Sequence, residues 1–385
     1  MDACQIPTGL VPCGHPIPDM TLNDIIFLLL GFVLLVAGAE FLVRGAARVA
    51  IAIGISPLVV GLTVVAFGTS APELGVSLFS TFSGSGTGNL AMGNVIGSNV
   101  FNILVILGIS ALIIPLVVHR QLVRFDVPFM IAISFLLLIL GLDGLIGHFD
   151  GALLTGLVIA YTVFLIIKSR KEGKDVAAEY EDEFGSEEDN VMWKNIMWLV
   201  LGMGGLVLGS KWLVDSAVNI ARAYEVSELV IGLTIVATGT SLPEVATSIV
   251  AAVKGERDIA VGNAVGSNIF NILCVIGFTS LVAPNGIEVS KAALTFDLPV
   301  MIGVAVACLP IFFTNYRLTR VNGAFFVLYY GAYLTYLLMN AARHDYVDEY
   351  RFALTWFVLP LTAVTLMVIS FAAFRQYRGE LDANR

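Results

Sequence analysis

The sequence predicts an all-α polytopic membrane protein: two five-helix repeats of inverted topology, followed by one additional helix. Three observations predict this. Only 13% of the 385 residues are charged and 57% are hydrophobic, whereas soluble domains carry roughly 25% charged residues. Apolar runs of about 18 residues or more recur along the chain, long enough to cross hydrocarbon as helices. They are continuous rather than alternating, which excludes barrel strands. Finally, the second half of the chain repeats the first, motif by motif.

The elements follow in order. Residues 1–20 form a short Pro-containing tail, and the first span runs from about Asp24 to Val43 with Gly31 and Gly38 along it. Pro57–Phe82 is the second span, and a Gly/Ser turn leads into the third, Asn89–Val118. Val127–Leu142 and Gly151–Ile167 are the fourth and fifth. The acidic stretch that follows reads as a solvated tether. The plan then recurs as Trp193–Val214, Glu228–Val253, Ile259–Ala283, Leu294–Phe313 and Val321–Met339, and Phe352–Phe374 is an eleventh run without a counterpart. The expected units are therefore a tail at 1–20, a first repeat at 21–168 with its core motif at 61–110, and an acidic linker at 169–192. A second repeat follows at 193–340 with its core motif at 232–280, then the extra helix at 351–374.

Gly61-Leu62-Thr63-Val64-Val65-Ala66-Phe67-Gly68-Thr69-Ser70-Ala71-Pro72-Glu73 returns as Gly232-Leu233-Thr234-Ile235-Val236-Ala237-Thr238-Gly239-Thr240-Ser241-Leu242-Pro243-Glu244. Gly93-Asn94-Val95-Ile96-Gly97-Ser98-Asn99-Val100-Phe101-Asn102 returns as Gly262-Asn263-Ala264-Val265-Gly266-Ser267-Asn268-Ile269-Phe270-Asn271. Five spans per repeat is odd, so the copies are expected to enter the membrane in opposite orientations, as in many secondary transporters. With the N-terminus outside, sixteen Lys and Arg fall on the cytoplasmic side and five on the other, the asymmetry that sets topology. This predicts a cell-membrane protein with its N-terminus out and, if the eleventh run spans, its C-terminus in. No positively charged segment precedes the first apolar run, so a cleaved signal peptide is not expected.

A carboxylate in hydrocarbon is costly, so Glu73 and Glu244 point to function. Pro72 and Pro243 cannot donate backbone hydrogen bonds and crowd the carbonyls of Gly68 and Gly239. Those carbonyls, the hydroxyls of Thr69, Ser70, Thr240 and Ser241, and the two carboxylates form a concentrated set of oxygens. Asn94, Ser98 and Asn102 recur every four residues, along one helix face, and Asn263, Ser267 and Asn271 repeat them. Oxygen ligation without nitrogen or sulfur selects hard cations such as calcium, magnesium or sodium. Asp126 and Asp297, each two residues before a proline, read as helix N-caps, and Glu40 as a partner of Arg44 one turn on. Cys4 and Cys13 would pair if the tail is extracellular, whereas Cys274 and Cys308 are small apolar fillers. No basic, aromatic-interleaved patch indicates nucleic acid, and no Ser/His or paired-Asp arrangement indicates an enzyme.

These paired motifs resemble the two alpha repeats of the cation/calcium exchanger superfamily, especially its compact prokaryotic-type sodium/calcium exchangers. The resemblance covers about residues 24–340. It implies a ten-helix exchanger core and secondary active antiport of sodium against calcium across the lipid bilayer, by alternating access. No cofactor is implied beyond the transported ions, and the unit is expected to work as a monomer. Carried over by motif position, Glu73, Glu244, Thr69, Ser70, Thr240, Ser241, Ser98, Ser267, Asn102 and Asn271 would ligate the ions. The carbonyls of Ala66 and Ala237 would join them, and the glycine-rich first and sixth spans resemble the pair that slides. Asn271 stands where potassium-dependent relatives carry Asp. A proton-coupled calcium or magnesium exchanger and a passive cation channel are the alternatives.

Overall fold

The computed structural model describes residues 22–82, 88–184, 192–314 and 316–358, with Thr362 and Met367. The tail with Cys4 and Cys13, most of the Gly/Ser turn, the last part of the acidic linker and most of the eleventh run lie outside the described residues.

Among the described residues, nine helices are long and apolar enough to cross a membrane. They are α1 (Leu22–Ile53), α2 (Pro57–Phe82), α3 (Leu90–Ile113), α4 (Leu122–Asp143), α5 (from His148), α6 (Met192–Ala223), α8 (Arg257–Val282), α9 (Ala293–Phe313) and α10 (Arg320–Ala341). The expected seventh span, α7, is interrupted. Residues 228–239 are helical, the chain bends at Thr240 and Ser241, and Leu242–Val253 resumes as a 12-residue helix. A short helix, Val347–Ala353, opens the eleventh run.

Two readings are corrected. The acidic stretch does not begin as a tether: α5 continues from His148 to Phe184, because Lys168–Phe184 contains no Pro and only one Gly, and its Lys, Glu and Ala favour helix. Asp126 and Asp297 do not cap helices. Each lies in the αR region at the end of a wide π-helical turn that runs on into the next helix, and neither side chain bonds the backbone there. Asp126 instead accepts hydrogen bonds from Tyr161 Oη at 2.9 Å and Gln121 Nε2 at 3.3 Å.

Three wide π-helical turns in the first half recur at matching positions in the second. Gly61–Val65 pairs with Gly232–Val236, Asn102–Leu107 with Asn271–Ile276, and Leu122–Asp126 with Ala293–Asp297. Such turns shift the phase of the side chains beyond them and concentrate at functional sites. Two short antiparallel ladders join the halves: Leu116–Val117 with Arg317–Leu318, and Leu145–Ile146 with Ile287–Glu288. α8 lies inside the helix bundle, with every residue from Ile259 to Phe270 buried.

α1 and α6 meet through their backbones. A methyl group at Gly31 would lie 2.9 Å from Gly209 O, at Gly38 2.9 Å from Gly202 O, and at Gly45 3.1 Å from Asn195 O. Water drives no association inside the bilayer, so close packing of small residues takes its place. Gly202→Val would set its Cβ 2.5 Å from Leu42 N. Overpacking typically costs about 1–3 kcal/mol, and here the neighbour is backbone that cannot yield, so the variant is expected to lose monodisperse protein on size-exclusion chromatography. Gly204→Val, with open space around it, is expected to behave as wild type. Glu40 on α1 pairs with Arg44, as expected, and also with Lys254 at the end of α7.

Candidate ion-binding site

The Pro-Glu motifs bring two short helix starts together. Ser70 (ψ 5°) and Ser241 (ψ 3°) leave the helical region just before Ala71–Phe82 and Leu242–Val253 begin. Glu73 and Glu244 therefore sit in the first turn of each resumed helix, where backbone N–H groups favour an acidic side chain. Both are fully buried.

The serines cross over between halves. Ser70 Oγ donates to Glu244 Oε1 at 3.4 Å, and Ser241 Oγ donates to Glu73 Oε1 at 3.3 Å, while lying 3.2 Å from Ser98 Oγ. Thr69 Oγ1 donates to Asn263 Oδ1 at 3.1 Å and lies 3.4 Å from Ser267 Oγ; Thr240 Oγ1 donates to Asn94 Oδ1 at 3.4 Å. One cluster thus contains Glu73, Glu244, Thr69, Ser70, Thr240, Ser241, Ser98 and Ser267. Asn102 and Asn271 open the wide turns of α3 and α8 and are fully buried. Asn94 and Asn263 also brace the glutamates, since each Nδ2 donates at 3.3 Å to the backbone carbonyl of its own half's Glu73 or Glu244. Each further reaches a serine one turn on, Ser77 Oγ at 3.4 Å or Ser248 Oγ at 2.9 Å. Those serines were missed in the sequence, although their doubling four residues after each glutamate was the available signal.

Two of the expected carbonyl oxygens already accept hydrogen bonds. The Gly239 carbonyl freed by Pro243 accepts a hydrogen bond from Ser210 Oγ of α6 at 2.7 Å. The matching position on α1 is Ala39, which has no hydroxyl to offer Gly68. Ala66 O accepts from Ser70 N at 3.0 Å and lies 3.3 Å from Thr69 Oγ1. Ala66 is buried, whereas Ala237 is exposed.

Four oxygens of the expected ligand residues are buried without a hydrogen-bond partner: Glu73 Oε2, Glu244 Oε2, Asn102 Oδ1 and Asn271 Oδ1. Buried acceptors left in this way call for a positive partner. Among the described residues no group of three or more His, Cys, Asp or Glu side chains is placed to hold a metal. The donor set is two carboxylates with amide and hydroxyl oxygens, which suits hard cations.

The two halves differ in packing. On α8, a methyl group at Gly262 would meet Leu58 O at 3.0 Å, and one at Gly266 would meet Leu62 Cα at 2.8 Å. On α2, one at Gly61 would meet Ile259 Cα at 3.1 Å. The equivalent positions Gly93, Gly97 and Gly232 meet nothing within 4 Å among the described residues. α2 is closed against α8, while the first part of α7 stands away from α3.

The profile of the sodium/calcium exchanger protein family matches residues 23–167 and 194–339. The chain belongs to that family. It is 32% identical to the sodium/calcium exchanger MaX1 of Methanosarcina acetivorans over 351 residues, covering 83% of this chain and 99% of the relative. It is 37% identical to the inner membrane protein YrbG of Escherichia coli over 281 residues, 72% of this chain and 85% of the relative. Among solved structures it is similar to the sodium/calcium exchanger from Methanococcus jannaschii, with a TM-score of 0.67 and 28% identity over 81% of this chain and 97% of that one. The compact prokaryotic-type resemblance read from the motifs is thereby shown, as are an integral membrane protein and a transporter rather than an enzyme. As a family member it exchanges cations, with calcium among them.

Proposed function

We propose that the protein is a sodium-driven calcium antiporter of the cell membrane, working by alternating access as a monomer. Its core would be two inverted repeats, residues 21–168 and 193–340, joined by the segment 169–192. The observation that carries the site is the set of four unpartnered oxygens on Glu73, Glu244, Asn102 and Asn271. With the hydroxyls of Thr69, Ser70, Thr240, Ser241, Ser98 and Ser267 and the carbonyls of Ala66 and Ala237, they would hold either ion. Two carboxylates neutralise one calcium, and sodium would compete for the same oxygens, so each ion's binding favours release of the other.

Alternating access is supported by the unequal packing of equal sequences. Gly262 and Gly266 are packed against α2, whereas Gly93 and Gly97 face open space. With the N-terminus outside, as the charge asymmetry favours, the open side is extracellular. Exchanging the two packings would close that side and open the other.

Calcium uptake into proteoliposomes under imposed sodium, potassium or proton gradients tests this reading. Uptake that requires an opposing sodium gradient is the expected result. Uptake driven by protons alone would replace the coupling ion, and uptake needing no counter-ion would make the protein a channel.

A further inference from the structure

Four buried asparagines cross the boundary between α3 and α8, and only two of them belong to the proposed ligand set. Asn102 Nδ2 donates to Asn268 Oδ1 at 3.0 Å, and Asn271 Nδ2 donates to Asn99 Oδ1 at 3.1 Å. Asn99 Nδ2 in turn donates to Asn268 O at 3.3 Å and to Met301 Sδ at 3.6 Å; Asn268 Nδ2 donates to Met130 Sδ at 3.5 Å. Every one of these bonds joins one half of the chain to the other. All four amides and both methionines are at most 1% exposed, so water cannot substitute for a lost partner.

The direction of this network follows from its ends. A thioether sulfur and a backbone carbonyl only accept hydrogen bonds, and an amide presents a donor on one side and an acceptor on the other. Met301 and the Asn268 carbonyl therefore oblige Asn99 to point Nδ2 at them and Oδ1 at Asn271. Asn271 must then turn its own Nδ2 to Asn99, which leaves its Oδ1 facing away from that bond. Met130 imposes the same order on Asn268 and Asn102. The oxygens left over, Asn102 Oδ1 and Asn271 Oδ1, have no hydrogen-bond partner. Reversing either amide would direct N–H groups, which repel a cation, where an oxygen now lies.

We propose that Asn99 and Asn268 are positioning residues that lock the amides of Asn102 and Asn271 oxygen-first toward the transported cation. Met130 sets the sense of the lock at Asn268, and Met301 together with the Asn268 carbonyl sets it at Asn99. The inference rests on the cation site proposed above. It assigns a role to the asparagine of each Gly-Ser-Asn triplet, Asn99 and Asn268, which is outside the proposed ligand set.

The test is equilibrium calcium binding to the purified, detergent-solubilised full chain, arranged as a double-mutant cycle. Outer partners that orient metal ligands typically change affinity about 10–100-fold when removed. Asn99→Ala is therefore expected to weaken calcium binding about tenfold when residue 271 is asparagine. In an Asn271→Asp background it is expected to leave binding unchanged or tighter, because a carboxylate offers an oxygen whichever way it turns and needs no partner to orient it. A merely structural role for Asn99 predicts the same loss in both backgrounds, and that result would overturn the proposal. Asn268→Ala with Asn102→Asp is the matching cycle. Where an alanine variant does not yield monodisperse protein, Met130→Leu conserves core volume and removes the acceptor that orients Asn268; it is expected to weaken binding several-fold, and unchanged affinity would overturn the proposal. Absence of calcium binding by the wild type would sink the site reading and this inference together. Normal wild-type binding with equal losses in both backgrounds would sink this inference alone.

Discussion

Glu73→Gln and Glu244→Gln are each expected to abolish gradient-driven calcium flux while making the ion-free protein more resistant to heat. Glutamine keeps the size of the side chain and an oxygen that can accept the existing bond, from Ser241 at Glu73 or from Ser70 at Glu244. What it removes is one negative charge from a buried site. A pair of unit charges 4 Å apart is worth about 4 kcal/mol at an effective dielectric constant of ~20, which is roughly a thousandfold in affinity. Without the ion, two buried carboxylates with unpartnered Oε2 atoms are a burden on the fold. Neutralising one therefore raises the melting temperature of the ion-free protein. Calcium stabilises the folded state by mass action only where it binds, so the rise in melting temperature on adding calcium should vanish in both variants. Scanning fluorimetry with and without calcium measures both effects. A variant that melts earlier without ion, or that still gains from calcium, would count against these carboxylates as ligands.

Gly97→Val is expected to separate binding from transport. A methyl group at Gly97 meets nothing within 4 Å among the described residues, so a valine Cβ has room there and the proposed ion site beside it is expected to be undisturbed. If transport exchanges the packing of the halves, Gly97 must take up the position that Gly266 now holds, where a Cβ would lie 2.8 Å from Leu62 Cα and O and Ala66 Cβ. Backbone cannot yield there as a flexible side chain would, so the second conformation is barred. Calcium affinity in detergent should stay within about twofold of wild type, the usual range for a substitution that disturbs no packed neighbour, while flux in proteoliposomes falls to background. Undiminished flux would mean that α3 and α7 never close on each other. Gly266→Val should do the reverse and disfavour the conformation described here.

The duplicated motifs made the site legible because chemistry and repetition coincide. A glutamate, a proline and two hydroxyls within five residues, written twice, can be read without knowing where the helices lie. The crossing of Ser70 to Glu244 and of Ser241 to Glu73 could not be read, because it depends on how the halves meet. Asn99 and Asn268 were passed over for a related reason. On an ideal helix they point a quarter-turn away from the Asn94, Ser98 and Asn102 face, and their partners lie on other helices. Asn102 and Asn271, by contrast, stand on that repeated face and in the set that the family resemblance implies. Asp126 was misread because its neighbour Pro128 suggested a helix start, while its partner Tyr161 lies on the next helix. The unequal packing of α2 and α7 had no sequence signal. Nearly identical residues adopt both arrangements.

The backbone contact between α1 and α6 has a consequence for how such a molecule could move. Its glycines recur every seventh residue, at 31, 38 and 45 on one helix and at 202 and 209 on the other. Seven residues of helix rise about 10.5 Å. A displacement of one helix along the other by less than that interval would drive side chains into backbone, so small relative shifts are forbidden. The two are therefore geared together like meshed racks, and any travel across the rest of the molecule is travel of both at once.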